Sequence, residues 1–154
     1  MMRIRESGLD DFDQLWRIDQ QCFTSGIAYS REELAQYMKI RGAFTLAGEV
    51  EDGAAKGRVA GFVLATRDRR GTGRIITIDV LEEARRHGLG SQLLQAAEER
   101  LADQGCNRVL LEVAVDNAPA IAFYKRHQYA VLKTLPRYYL DTLDALLMDK
   151  KLDG

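Results

Sequence analysis

The sequence is poor in the residues that build metal and redox sites. Its 154 residues include only two cysteines and two histidines. Cys22 and Cys106 lie far apart and form no C-x-x-C pair, and His87 and His127 have no ligand-like spacing. We therefore expect no metal site, no cysteine nucleophile and a reducing, cytoplasmic environment.

An excess of charge and a long apolar run are also lacking. Lys and Arg number 22 against 23 Asp and Glu, which gives a formal net charge of -1. This balance argues against a polycation that binds nucleic acid regardless of sequence. The sequence shows no signal peptide, no apolar span of about 18 residues, and no repeat, linker or low-complexity tract. These absences predict one compact domain over residues 1–154, with no nucleic-acid or membrane partner.

Apolar residues recur with the periods of strands and helices. Strands are expected at about 2–5, 44–50, 59–66, 74–80, 108–115, 129–135 and 145–150. Helices are expected over about 9–23, 30–40, 89–105 and 117–127. Because a helix separates the fourth strand from the fifth, these two should be parallel, whereas the others can pair antiparallel. The prediction is an α+β three-layer sandwich: a mixed, mostly antiparallel sheet of about seven strands with about four helices on its faces.

The segment "EEARRHGLGSQLL" joins the fourth expected strand to the third expected helix. Gly88 and Gly90 allow the backbone to turn tightly and to approach a ligand, while Arg85, Arg86 and His87 raise the local positive potential. The first N–H groups of a helix lack partners within it. The segment could therefore bind a phosphate group, but a G-x-G alone fits equally an ordinary turn with solvated arginines.

Two common phosphate motifs fit the segment poorly. A P-loop needs a Lys-Ser/Thr pair after its second glycine, where this chain has Ser91-Gln92. A dinucleotide fold needs a third glycine where Leu93 stands, and its glycine turn follows the strand at once. Glu112 has the spacing of a ribose-binding acid, so a nucleotide-dependent oxidoreductase stays as the weaker alternative.

The run Arg85-Arg86-His87-Gly88-Leu89-Gly90 resembles the R/Q-x-x-G-x-G/A signature of the GCN5-related N-acetyltransferases. Together with "LEVAVDNAPAIAFY" and the late "YY", it is most similar to the branch that includes the bacterial ribosomal-protein N-terminal alanine acetyltransferases. The resemblance covers nearly the whole chain. It implies an acetyl-CoA-dependent N-acetyltransferase in which the two parallel strands splay apart.

The resemblance also implies where acetyl-CoA binds. Its pyrophosphate would lie on the backbone N–H groups at the start of the third helix, and its pantetheine arm would pair with the fourth strand. Asn117 would contact the same arm, although an N-cap role could also account for this residue. The implied contacts are Ile78, Asp79, Val80, Arg85, Arg86, His87, Gly88, Leu89, Gly90, Ser91 and Asn117.

Two residues are candidates for the chemistry. Glu112 is the only charged residue in "VLLEVAV", and a lone carboxylate among apolar neighbours costs free energy unless it is paired or faces a cleft. The resemblance implies that Glu112 is the general base and that the Tyr124 phenol meets the leaving sulfur. The alternatives are a salt-bridged glutamate and an amphipathic core tyrosine.

On the acceptor side, the resemblance implies that Tyr138 and Tyr139 contact a peptide and that the loop from Phe23 to Tyr29 forms the facing wall. A protein N-terminus suits the reaction, because an α-amine with a pKa near about 8 is deprotonated more readily than a lysine. The branch usually has an arginine where this chain has Ala114. Polyamine, amino-acid and aminoglycoside acceptors, a non-catalytic acyl-CoA-binding module, and a monomer or a homodimer therefore all stay open.

Overall fold

The structure is a computed structural model that describes residues 2–23, 27–139 and 142–152. Seven strands form one sheet. They are β1 (Met2–Glu6), β2 (Phe44–Val50), β3 (Val59–Arg67), β4 (Thr72–Val80), β5 (Arg108–Ala114), β6 (Ala130–Tyr139) and β7 (Leu143–Lys151). Their order across the sheet is β1-β2-β3-β4-β5-β7-β6.

Four α-helices cover the two faces of this sheet. They are α1 (Phe12–Cys22), α2 (Arg31–Met38), α3 (Leu89–Asp103) and α4 (Ala118–Arg126). Leu15 of α1 and Leu34 of α2 are buried in one core cluster with Phe62 of β3, whereas Leu93 of α3 and Tyr124 of α4 belong to a second cluster. Each fully buried leucine contributes about 1.5–3 kcal/mol of burial free energy. The predicted α+β sandwich is confirmed.

The sheet contains one parallel pair, as the crossover through α3 predicts. β4 and β5 pair in parallel at Thr72, Gly73 and Arg74, while the other neighbouring strands are antiparallel. On its other side, β4 has Ile75 opposite Ala65 and Thr77 opposite Leu64, so Ile76 is an extra residue that forms a bulge. Beyond Arg74 the two parallel strands separate, which is the predicted splay.

Local signals place the helix ends. The Ser30 hydroxyl accepts a hydrogen bond from the backbone N–H of Glu33 at 3.1 Å, and the Glu33 carboxylate accepts one from the Ser30 N–H at 3.0 Å. This reciprocal pair is the expected capping box at the start of α2. Asn117 caps α4 by accepting a hydrogen bond from the Ala120 N–H at 3.3 Å.

Three details differ from the sequence prediction. The spacing of apolar residues predicts that the first helix starts at about Leu9, but Leu9 lies in a short 3-10 turn before α1 and is 97% exposed. β6 extends to Tyr139, well past Leu135, and contains two register shifts against β7. A further 3-10 segment over Glu82–His87 precedes α3.

α4 ends without a glycine, the residue that most often closes a helix in the left-handed conformation. Gln128 adopts a φ of 76°, in the left-handed region that a side chain disfavours. Its backbone N–H still donates to the Lys125 carbonyl at 3.1 Å, so the helix end is closed at a cost in backbone strain. Within the described part of the chain, no helix is long and apolar enough to cross a membrane.

Candidate functional site

A cleft of about 720 Å³ opens where β4 and β5 separate. Residues from β4, β5, α4 and the start of α3 line it, together with the segment that follows α1. Since strand pairing between β4 and β5 stops at Arg74, the facing backbone of the two strands beyond this residue is available to a ligand.

One end of the cleft is formed by the glycine-rich junction. Gly88 has a φ of 75° and a ψ of 13°, which explains the glycine at this turn, and α3 begins at the next residue. Gly88, Gly90 and Ser91 line the cleft, whereas Leu89 points away and is fully buried in the core. The backbone N–H groups of the first turn of α3 therefore face the cavity without intervening side chains from the glycines.

The basic residues of this junction are not equivalent. Arg85 lines the cleft, and its guanidinium Nε donates a hydrogen bond to the Val80 carbonyl at 2.9 Å. His87 is exposed and is not among the lining residues, and the side chain of Arg86 lies outside the described part of the structure. Arg85 is thus the cation that the fold fixes beside the start of α3.

The end of β4 forms the cleft edge that should accept an extended ligand. Ile78 and Val80 line the cleft, but the Asp79 side chain is turned to the opposite face and is only 1% exposed. The Asp79 carbonyl lies beside Gly61 of β3, so the cleft edge is formed by the neighbours Ile78 and Val80. Asn117 lines the cleft as well, and its side-chain oxygen is already engaged in capping α4.

Glu112 lies on β5 at the splay and lines the cleft. Its carboxylate forms an ion pair with the Arg74 guanidinium from the last paired position of β4. The Glu112 side chain is 10% exposed and that of Arg74 is 44% exposed. The ion pair therefore holds a carboxylate in the wall of the cleft while its partner cation reaches water.

Tyr124 of α4 also lines the cleft, and it packs edge-on against Phe123 and Tyr129 with ring centroids 5.4 and 5.8 Å apart. Burial raises the pKa of the Tyr124 phenol well above its ordinary value, and nearby Asp79 adds to the shift. The hydroxyl therefore stays protonated at neutral pH and can donate a hydrogen bond into the cleft.

The other end of the cleft is aromatic. Phe23, Tyr29 and Tyr139 line it, and burial raises the pKa of Tyr139 to about 12. Tyr138 stacks edge-on against Tyr139 at 4.9 Å between centroids, but it is 47% exposed and does not line the cavity. The middle of the predicted loop, residues 24–26, lies outside the described residues.

Sequence reasoning missed two side-chain contacts near the cleft, one of Glu112 and one of Asp79. Arg74 supplies a cation beside Glu112, although the arginine of the related branch is replaced by Ala114. Asp79 is the only acidic residue in "RIITIDV", and it meets Asp19 of α1 below the cleft floor. The signal that pointed to Glu112, a lone acid in an apolar strand, applies equally to Asp79.

Comparisons with known proteins agree on the family. A family model described as "Acetyltransferase (GNAT) family" matches residues 12–129. An N-alpha-acetyltransferase of Sulfurisphaera tokodaii is 34% identical over 162 residues, which cover 95% of this chain and 90% of that protein. The two sequences therefore match along nearly their whole length.

Solved structures agree on the fold. The crystal structure of Ard1 from Thermoplasma volcanium matches with a TM-score of 0.87 and 28% identity, and 99% of each chain is covered. The ribosomal-protein-S18-alanine N-acetyltransferase from Escherichia coli matches with a TM-score of 0.84 and 23% identity over all of this chain and 97% of that one. The second likeness concerns the fold alone.

Proposed function

Since this chain belongs to the acetyltransferase (GNAT) family, we propose that it transfers an acetyl group from acetyl-CoA to the α-amine of a protein N-terminus. The observation that carries the proposal is the cleft at the β4–β5 splay. Its lining combines the glycine junction, Glu112 and Tyr124 with the aromatic side chains of Phe23, Tyr29 and Tyr139.

The residues at the glycine junction fit a diphosphate. Free N–H groups and the positive end of the dipole of α3 meet at Gly88 and Gly90, and Arg85 adds a fixed cation. The edge of β4 at Ile78 and Val80 does not pair with β5 and offers backbone groups to the amides of a pantetheine arm, although the Val80 carbonyl also accepts from Arg85. When bound, acetyl-CoA supplies a thioester whose C–S bond breaks as the new C–N bond to the amine forms.

Glu112 is the proposed proton acceptor for the attacking amine. Its carboxylate is paired with Arg74, and a carboxylate is a group that can accept a proton. With ordinary pKa values of about 8 for an α-amine and about 4.3 for a glutamate, direct transfer is uphill by about 5 kcal/mol. We therefore assign Glu112 to a relay through water, in which the proton passes on to solvent.

Tyr124 is the proposed partner of the departing sulfur. Its buried phenol remains protonated and can donate a hydrogen bond to the developing thiolate. Complete transfer of its proton to the thiolate is disfavoured, because burial makes this phenol a still weaker acid than an ordinary tyrosine.

The cysteines support direct attack by the amine over an acetyl-cysteine intermediate. Cys22 lines the cleft, but burial raises the pKa of its thiol to about 11, so little thiolate forms at neutral pH. Burial also raises the pKa of Cys106, which is 4% exposed and lies in the core. Neither thiol is activated as a nucleophile.

The choice of an α-amine over a lysine rests on acidity and on relatives. At pH 7, an α-amine with a pKa of about 8 is neutral in about one-tenth of molecules. A lysine side chain with a pKa of about 10.4 is neutral in well under a thousandth of molecules. The relative from Sulfurisphaera tokodaii carries the name N-alpha-acetyltransferase, which supports the same acceptor class.

The proposal is tested by measuring thiol release from acetyl-CoA with a panel of acceptors and by intact-mass analysis of the products. The panel contains peptides that begin with Ala, Ser or Met, each matched by an N-terminally blocked copy with one internal lysine, and free polyamines and amino acids. We expect a mass gain of one acetyl group on the free α-amine only. Acetylation of the blocked peptides or of the polyamines alone would overturn the acceptor class, and acetyl-CoA binding without thiol release would indicate a binding module.

A further inference from the structure

Two carboxyl groups meet beneath the cleft, between α1 and β4. Asp19 of α1 and Asp79 of β4 are 0% and 1% exposed, and Asp19 lies close enough to raise the pKa of the Asp79 carboxyl group. Buried carboxyl groups are rare because a charge removed from water is costly. Neither side chain has a role in the proposed reaction, so their burial needs another explanation.

The hydrogen bonds of the pair leave room for one shared proton. The Tyr29 backbone N–H donates to Asp19 Oδ2 at 2.7 Å, and the Thr77 hydroxyl donates to Asp79 Oδ1 at 2.5 Å. The remaining oxygens, Asp19 Oδ1 and Asp79 Oδ2, are buried and accept no hydrogen bond from another described residue. A proton on one of them satisfies both, whereas two adjacent buried carboxylates would repel each other.

The pair connects the two sides of the cleft. Tyr29 is held through both of its backbone polar groups, because its carbonyl also accepts hydrogen bonds from Trp16 Nε1 at 3.2 Å and Gln20 Nε2 at 2.6 Å. The Tyr29 ring lines the acceptor end of the cleft. Asp79 lies on β4 between Ile78 and Val80, which line the donor end.

We propose that Asp19 and Asp79 share a single proton and act as positioning residues. They hold Tyr29, on the acceptor side of the cleft, against β4. The kinetic consequence of this inference rests on the proposed function, because Tyr29 is proposed to contact the acceptor. When the proton is lost, two buried carboxylates face each other and the connection between Tyr29 and β4 weakens.

The surroundings favour retention of the proton. Burial raises the pKa of Asp79 well above its ordinary value, and Asp19 raises it further; the Thr77 hydrogen bond and the Arg85 charge oppose the shift. The other titratable groups near the pair are Cys22 of α1, Tyr29, and Tyr124 of α4. Burial raises the pKa of each, so all three are neutral at pH 7 and none supplies a compensating positive charge.

The sign of the pH dependence follows from the raised pKa. The unfolded chain releases the Asp79 proton near about pH 4, whereas the folded chain keeps it to a higher pH. The contribution of the bound proton to the free energy of unfolding is thus fully present below about pH 4. It is lost as the pH rises towards the pKa of Asp79 in the folded chain.

A kinetic test uses two substitutions of Asp19, which lies outside the cleft. Asp19→Ala removes the connection, and we expect the acceptor KM to rise about tenfold to a hundredfold with a smaller change in kcat. Asp19→Asn can accept from Tyr29 through its oxygen and donate to Asp79 through its amide nitrogen, so we expect it to recover most of the Asp19→Ala loss at pH 7. A loss confined to kcat, or equal KM values in both variants and the wild type, would overturn the positioning role.

A thermal test decides the shared proton without any acceptor. The Tm of the wild type and of Asp19→Asn is measured from pH 5 to pH 9. We expect the Tm of the variant to rise relative to the Tm of the wild type as the pH rises. Asp11→Asn is the matched control. Asp11 is also buried, but Arg5 lowers its pKa, so this substitution should change the pH dependence of the Tm only at more acidic pH. A Tm difference between Asp19→Asn and the wild type that does not change with pH would overturn the proton sharing. If the wild type acetylates no acceptor, the proposed function fails and this comparison still decides the pair.

Discussion

Replacement of Glu112 by Gln gives the sharpest test of the proposed chemistry. Gln has the same shape and can still accept a hydrogen bond from Arg74, but it cannot take a proton from an ammonium group. Loss of a general base typically lowers the rate by about 100-fold to 10,000-fold, which corresponds to about 3–5 kcal/mol in the activation free energy. We expect kcat to fall within this range and the Kd for acetyl-CoA to stay nearly constant.

We expect this loss of kcat without unfolding of the chain. The Arg74 side chain is 44% exposed and can hydrate when its partner becomes neutral. An ion pair with such an exposed member contributes about 0.2–1 kcal/mol to the free energy of unfolding. For a chain of this size the Tm should therefore fall by no more than about 4 °C.

A second glutamate provides a matched control for Glu112→Gln. Glu49 lies on β2, away from the cleft, and also pairs with arginines: its carboxylate is 3.0 Å from Arg5 and 3.1 Å from Arg3. Glu49→Gln should lower the Tm to a similar degree or more and leave kcat unchanged. Thiol release under saturating acceptor measures kcat, and calorimetric titration measures the Kd for acetyl-CoA. A Glu112→Gln enzyme with wild-type kcat would remove Glu112 from the mechanism.

Three other substitutions test separate parts of the structure. Gly88→Ala and its control Gly53→Ala both force alanine into a left-handed turn with open space around it, at φ values of 75° and 79°, so each should lose about 1–2 kcal/mol of stability. Only Gly88→Ala should weaken acetyl-CoA binding in a calorimetric titration; equal Kd values would contradict the phosphate site. Tyr124→Phe should lower kcat by about 10-fold to 1,000-fold at unchanged acetyl-CoA affinity, and wild-type turnover in the thiol-release assay would leave Tyr124 as a core residue. Gln128→Gly should relieve the strain at φ 76° and raise the Tm in a thermal melt by about 2–4 °C, whereas an unchanged or lower Tm would show that this residue is not strained.

Much of the fold could be predicted because its signals are local. The Ser30 capping box and the Asn117 cap fix helix starts within a few residues of chain, and the crossover through α3 requires a parallel pair. Leu9 shows the limit of this reasoning. Its spacing fits a helical apolar face, but nothing local reports that the chain turns there before α1 begins.

The site was predictable only where a backbone motif defines it. The glycine junction specifies both its conformation and its position at a helix start, so Gly88 and Gly90 could be assigned from sequence. The Arg74–Glu112 and Asp19–Asp79 contacts join residues that are far apart in sequence. Their partners depend on strand register and on the Ile76 bulge, which a single sequence does not encode in any local pattern.

The early end of the β4–β5 pairing also bears on how ligands enter. The sheet consists in effect of two hydrogen-bonded ribbons, one of β1 to β4 and one of β5, β7 and β6, joined along only three residue pairs. Widening the gap beyond Arg74 breaks no ladder bond between the ribbons, so a long, flexible ligand can slide in from the edge without prior local unfolding. A ligand bound in this gap should restrict the motion of both ribbons. Slower amide hydrogen exchange along β4 and β5 would show this effect.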